Sequence, residues 1–221
     1  MKQGTLYVVS TPIGNLEDIT LRALRILRET DFIAAEDTRR TKILLNNYNI
    51  KKPLISYYSY NRFSRKEKVL GLLEAGKNVA LVSDAGTPGI SDPGYLLIKD
   101  AIERNLPVMA IPGPTAFITA LVISGKPTDK FVFEGFLSNK SSRRRAKLSC
   151  LKNEKRTIVL YESCHRLVKL LEDICCVMGD VELVVARELT KKFEEIKRER
   201  TKVLIEHFSA VKPRGEFIVI I

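Results

Sequence analysis

The segment VSDAGTPGISDPG, residues 82–94, holds three glycines, two prolines and two aspartates in thirteen positions, directly after an apolar run at 79–82. Two further Pro/Gly turns follow apolar runs in the same half of the chain: Thr11-Pro12-Ile13-Gly14-Asn15 and Pro112-Gly113-Pro114-Thr115-Ala116. One such turn ends an element and needs no other purpose. Three of them at the carboxyl ends of strands point to a ligand cleft, because open α/β sheets bind ligands there. Glycines at 86, 89 and 94 let backbone approach a small ligand closely. A helix starting near Thr115 offers free amide N–H groups to a carboxylate. Phosphate cradles are missing: no G-x-G-x-x-G follows the first strand, and no G-x-x-x-x-G-K-[ST] occurs. Gly125-Lys126-Pro127 lacks both the leading glycine and the hydroxyl residue. The cleft therefore suits a ligand that is part amino acid and part nucleoside.

Apolar runs that alternate with helical patterns must position these turns. In the first half, strands are predicted at Thr5–Ser10, Phe32–Glu36, Leu54–Tyr58, Val79–Ser83 and Pro107–Ile111. Between them lie amphipathic stretches such as Leu21-x-x-Leu24-x-x-Leu27. The second half repeats the theme, with strands at Phe131–Phe136, Thr157–Tyr161, Val181–Ala186, Phe193–Lys197 and Phe217–Ile221. Its helices are expected at Ser142–Leu151, His165–Val177 and Lys202–Phe208. The pattern predicts two α/β domains, 1–124 and 125–221, joined through the polar, proline-bearing SGKPTDK. Alternation alone leaves parallel and mixed sheets equally open.

Charge narrows the partner. Lys and Arg number 37 against 26 Asp and Glu, a net charge of +11 over 221 residues. The excess is clustered at Arg39-Arg40 with Lys42, at 62–68, at Arg143–Arg145 with Lys147, and at Lys197-Arg198 with Arg200. Any one cluster reads as a solvated face; several together favour a polyanion, above all RNA. Cys150, Cys164, Cys175 and Cys176 form no C-x-x-C pair, and His165 and His207 are the only histidines, so no metal site is expected. The N-terminus has no signal-peptide pattern, and the longest apolar stretch, Ala116 to Ile123, is too short for a bilayer. The expectation is a soluble, cytoplasmic protein.

The motifs TLYVVSTPIGNLEDITLRAL, IAAEDTRRT, ALVSDAGTPGISDPGY, PGPTAFITAL, YESCHRL, ARELTK and RGEF occur here in chain order. In that order they resemble the small-subunit (16S) rRNA ribose 2′-O-methyltransferase subgroup of the tetrapyrrole methylase (class III) superfamily, from about Leu6 to Ile221. The resemblance implies a two-domain α/β homodimer that holds S-adenosylmethionine in the cleft between its domains. It implies methylation of a decoding-centre cytidine, in 16S rRNA or the 30S subunit. On this analogy the donor contacts are Pro12, Asp84, Thr87, Pro88, Ile90, Thr115 and Ala116, with Tyr161, Ala186 and Gly215 from the second domain. Thr87 stands where the superfamily's G-D-P turn has its aspartate.

A ribose hydroxyl attacks a sulfonium methyl better when a base takes its proton. Glu36 and Asp37, at a strand end on the same rim, are the candidates, with Glu188 of ARELTK a third. Asp37 or Thr38 equally suits a helix cap, and Glu188 a partner of Arg187. Arg39, Arg40 and Arg143, Arg144, Arg145 are the expected phosphate contacts. Two departures from the subgroup stand out. Tyr58-Ser59-Tyr60-Asn61 replaces an H-x-H-N pattern, and the chain stops at Ile221 where relatives commonly continue into a small helical region. A tetrapyrrole methylase, or an RNA-binding homologue with weakened turnover, are the alternatives.

Overall fold

A computed structural model describes residues 2–57, 62–92 and 94–221, without the side chains of 62–64. The chain divides into two compact units between Thr115 and Ala116.

The first unit holds strands β1 (Leu6–Val9), β2 (Phe32–Ala35), β3 (Leu54–Ser56), β4 (Val79–Val82) and β5 (Val108–Ile111). Between them run helices α1 (Leu21–Glu29), α2 (Thr38–Asn47), α3 (Arg62–Glu74) and α4 (Tyr95–Glu103). The sheet is parallel throughout, in the order β3-β2-β4-β1-β5. Both faces are covered, so the strands read as unbroken apolar runs. Along β2 and β4, Ile33, Ala35, Ala80 and Val82 pack with Leu24 and Leu27 of α1 and Leu45 of α2. The alternate residues Ala34, Val79 and Leu81 pack with Leu70 and Leu73 of α3 and Leu97 of α4. The helices that follow the neighbouring strands β1 and β4 thus lie on opposite faces. This is a topological switch point, where a crevice opens at the strand ends.

The second unit contains α5 (Ala116–Val122), β6 (Phe131–Phe136), α6 (Ser141–Leu151), β7 (Thr157–Ser163), α7 (Leu167–Met178), β8 (Glu182–Arg187), β9 (Glu195–Arg200), α8 (Thr201–Ala210) and β10 (Glu216–Ile220). Its sheet is mixed, ordered β6-β7-β10-β8-β9, with only β6 and β7 parallel. Leucines of α6, α7 and α8 pack on Leu160, Leu183, Val185, Phe217 and Val219. Helix α5 packs on β7 and β10, with Phe117 stacked on Phe133 at 4.5 Å between centroids. Because α5 packs on the second sheet, the division falls nine residues before the boundary expected after 124.

Strand β9 starts and ends later than the predicted Phe193–Lys197. Phe193 is exposed, and the pairing with β8 runs from Glu195 to Arg200. An edge strand needs no apolar run, which hid its true extent. Among the described residues no helix is long and apolar enough to cross a membrane.

Candidate functional site

In the first unit the three turns singled out by sequence are laced together. Thr11 and Gly86 exchange backbone hydrogen bonds of 2.9 and 3.0 Å, joining the turns after β1 and β4. The Thr11 hydroxyl donates to the Ser83 carbonyl at 3.2 Å. Thr87 Oγ1 lies 2.9 Å from Ser10 Oγ and 2.8 Å from Thr115 Oγ1, linking hydroxyls from all three turns. Gly113 makes this approach possible, because a Cβ there would stand 2.8 Å from Ser10 Cβ. Gly86 has φ +80°, a conformation open to glycine and strained for other residues. Pro12 and Pro88 are buried beneath this rim, while Ile90 is exposed. The sequence reading missed Ser10 and Thr11, although the STP triplet carried the signal.

Three carboxylates meet where β2 and β4 end. Asp84 accepts the Asp37 backbone N–H at 2.9 Å and sits 3.5 Å from the Arg40 guanidinium. Asp37 caps α2, accepting the Arg39 N–H at 2.8 Å and two guanidinium hydrogen bonds of 3.1 and 2.7 Å. Those bonds hold its pKa down at about 2, so at neutral pH it is a weak proton acceptor. Glu36 is displaced the other way: burial first, then the Asp84 charge, raise its pKa. Among the described residues no cation closes an ion pair on it. Of the adjacent pair, Glu36 has the properties of a general base and Asp37 those of a cap.

In the second unit Tyr161 and Ala186 flank Ile218 in one cross-strand row, on β7 and β8 either side of β10. Gly215 (φ +93°) immediately precedes β10, and any side chain there would collide with Glu188. Glu188, itself at φ +48°, accepts from Lys191 Nζ at 2.9 Å and from the Glu216 N–H at 3.0 Å. Burial raises its pKa, but Lys191 and that amide outweigh burial and bring it below the ordinary range. Its observed partner is Lys191, whereas Arg187 reaches Glu195 at 3.4 Å. A clamped, acidic carboxylate of this kind holds a turn better than it takes a proton.

The Arg143–Arg145 cluster requires a correction. Arg144 is buried, and its Nε donates to Asp173 at 2.7 Å in an ion pair where both side chains are 3% exposed. It is a core residue and no phosphate contact. Arg145 pairs with the other Asp173 oxygen, leaving Arg143 as the member of the trio exposed without a partner among the described residues. Successive helical residues point about 100° apart, so a basic triplet cannot face one way. His165 lies exposed in the turn before α7. Tyr58 and Tyr60 lie outside the described residues.

The sequence profile of the tetrapyrrole (corrin/porphyrin) methylases matches residues 5–204. The chain is 51% identical over 218 residues to the ribosomal RNA small subunit methyltransferase I of Thermotoga maritima, covering 99% of this chain and 98% of that one. In fold it resembles a cobalt precorrin-4 methyltransferase of cobalamin biosynthesis (TM-score 0.75, 19% identity, 98% and 93% of the two chains). It also resembles a Thermus thermophilus uroporphyrin-III C-methyltransferase complexed with S-adenosyl homocysteine (TM-score 0.68, 18% identity, 98% and 97%). The chain belongs to the tetrapyrrole methylase family and, within it, to the group of the ribosomal RNA small subunit methyltransferases I.

Proposed function

We propose that this protein transfers the methyl group of S-adenosylmethionine to the ribose 2′-hydroxyl of a cytidine in the decoding centre of 16S rRNA. It acts as a cytoplasmic homodimer on rRNA or the 30S subunit. The observation that carries the reading is the 51% identity, end to end, with a protein named as a small-subunit rRNA methyltransferase. The tetrapyrrole enzymes share the fold at 18–19% identity, which leaves a small-molecule acceptor without support of its own.

The residues present fit the donor. Its amino-acid and nucleoside parts need hydroxyls and exposed backbone at close range, and the half-buried Thr87 and Thr115 with the exposed Gly113 offer both. Asp84, Thr87, Pro88, Ile90, Pro12, Thr115 and Ala116 would hold it, with Tyr161, Ala186 and Gly215. When bound, it supplies a methyl group already activated by a sulfonium charge. Glu36 takes the 2′-hydroxyl proton on a carboxylate oxygen. Asp37 fixes the first turn of α2, which aims Arg39 and Arg40 at backbone phosphates. Positioning supplies much of the remaining rate.

The test is transfer from labelled S-adenosylmethionine to 30S subunits lacking the modification, followed by mapping of the labelled nucleotide. One 2′-O-methyl group in the decoding centre is expected. Donor binding without incorporation into any small-subunit substrate would falsify the proposal.

A further inference from the structure

Among the described residues the first-unit sheet ends at β3, which pairs with β2 alone. Two adjoining grooves run along this free edge and share Lys42 and Leu54. Six cations line them: Arg39, Lys42, Lys51, Lys52, Arg65 and Lys68. Not one lining residue is Asp or Glu.

This charge is built by the helices on both faces. On α2, Arg39 and Lys42 are three apart and share one side of the helix, as do Arg65 and Lys68 on α3. The intervening Lys66 and Glu67 turn toward α4, where they pair with Asp100 and Arg104. Lys42 of α2 and Arg65 and Lys68 of α3 thus reach the β3 edge without an ion pair among the described residues, while Arg39 beside them is paired with Asp37. Among the described residues no carboxylate pairs with Lys42, Lys51, Lys52, Arg65 or Lys68. The groove also contains Thr38, directly after Asp37 and two residues from Glu36, so the cationic track leads to the carboxylate assigned as base.

Lysines on an edge strand also discourage sheet-to-sheet pairing. That role accounts for Lys51 and Lys52 beside β3, but not for matched pairs on two helices.

We propose that the β3 edge is a phosphate-binding track, and that the RNA backbone lies along it with Lys42, Arg65 and Lys68 each neutralising a phosphate. The inference rests on the RNA reading above and adds the surface that holds the substrate. The occupant is a phosphodiester chain, because only a dense polyanion complements five cations without a carboxylate partner among the described residues, with Arg39 beside them. The Ser56 hydroxyl adds a donor to the same groove.

The test compares wild type with the triple variant Lys42→Gln/Arg65→Gln/Lys68→Gln and with a control, Lys152→Gln/Lys155→Gln, in the second unit. Binding to transcribed 16S rRNA is measured across a salt series, alongside methyl transfer to unmodified 30S subunits. Loss of three contacts at ~0.7 each lowers the slope of log K against log salt by about 2 and weakens binding up to about 100-fold near 0.1 M salt. KM for the 30S subunit rises, kcat at saturation and donor affinity stay unchanged, and the control behaves as wild type. An unchanged slope in the triple variant, while wild type still methylates, removes the track and leaves the proposed function standing. An equal loss in the control reduces the effect to net charge and also overturns the assignment. Normal affinity for naked rRNA with lost affinity for 30S would mean that the edge meets a protein. A wild type that neither binds nor methylates the small-subunit substrates brings down both proposals.

Discussion

Glu36→Gln separates a working base from a carboxyl that is merely buried. Burial and the Asp84 charge hold the Glu36 pKa above its ordinary 4.5, whereas Asp37 next to it is held at about 2. Glutamine keeps the size and one carbonyl oxygen but accepts no proton. General-base assistance contributes about 10²–10⁴-fold, or roughly 3–5 kcal/mol of barrier, and the variant should lose that factor in kcat. Affinities for donor and RNA should hold, because the loss falls on the transition state. Wild-type kcat/KM should rise with pH along a limb set above pH 4.5, and the variant should lack that limb. Stability moves in the opposite direction. The folded chain binds the Glu36 proton more tightly than the unfolded chain, so the stabilising contribution is complete below pH 4.5 and is lost as pH rises through the folded-state pKa. Near neutral pH the ionised side chain therefore destabilises the fold, and Glu36→Gln should melt at or above the wild-type temperature. The assays are single-turnover methyl transfer over a pH series and thermal melting of the same samples. Wild-type turnover in the variant, or an acidic limb that persists, would refute the assignment; a much lower melting temperature would mark Glu36 as structural.

Asp37→Ala should melt at a lower temperature near neutral pH, through loss of the α2 cap and the Arg39 bonds. Because the folded pKa is depressed, this stabilisation is present above pH 3.8 and fades as pH falls toward about 2, so acid melts of the two proteins should converge there. Its kcat should fall less than that of Glu36→Gln. Arg144→Ala leaves Asp173 buried and partly uncompensated, and should cost about 3–5 kcal/mol in denaturant unfolding. At temperatures where the variant stays folded, its salt slope on RNA should match wild type, since Arg144 does not reach the surface.

Much of the first unit was legible because a parallel sheet covered on both faces needs continuous apolar strands, and VALV at 79–82 has no other use. The turns after β1, β4 and β5 were legible as well, since Gly86 and Gly113 stand where any side chain is strained or blocked. The edge strand β9, EIKRER, was placed early because Phe193, the bulky apolar residue before it, lies exposed outside it, and Ile196 alone is apolar within. The fate of Arg144 depended on Asp173, 29 residues away, and no local pattern announces such a partner.

The sequence by itself determined the alternation of strands and helices, the three turns, the net positive charge and the family motifs. All are properties of neighbouring residues or of counts. Only the tertiary structure decided strand order, the mixed second sheet and the side of the boundary on which α5 falls. It also decided the burial of Glu36 beside Asp84, which sets it apart from Asp37. Burial and the charge of Asp84, brought beside Glu36 by the pairing of β2 with β4, raise the pKa of the one, while the hydrogen bonds from Arg39 lower that of the other. For Glu36, burial and field are assembled by residues distant along the chain, whereas Asp37 is set by Arg39 two positions on.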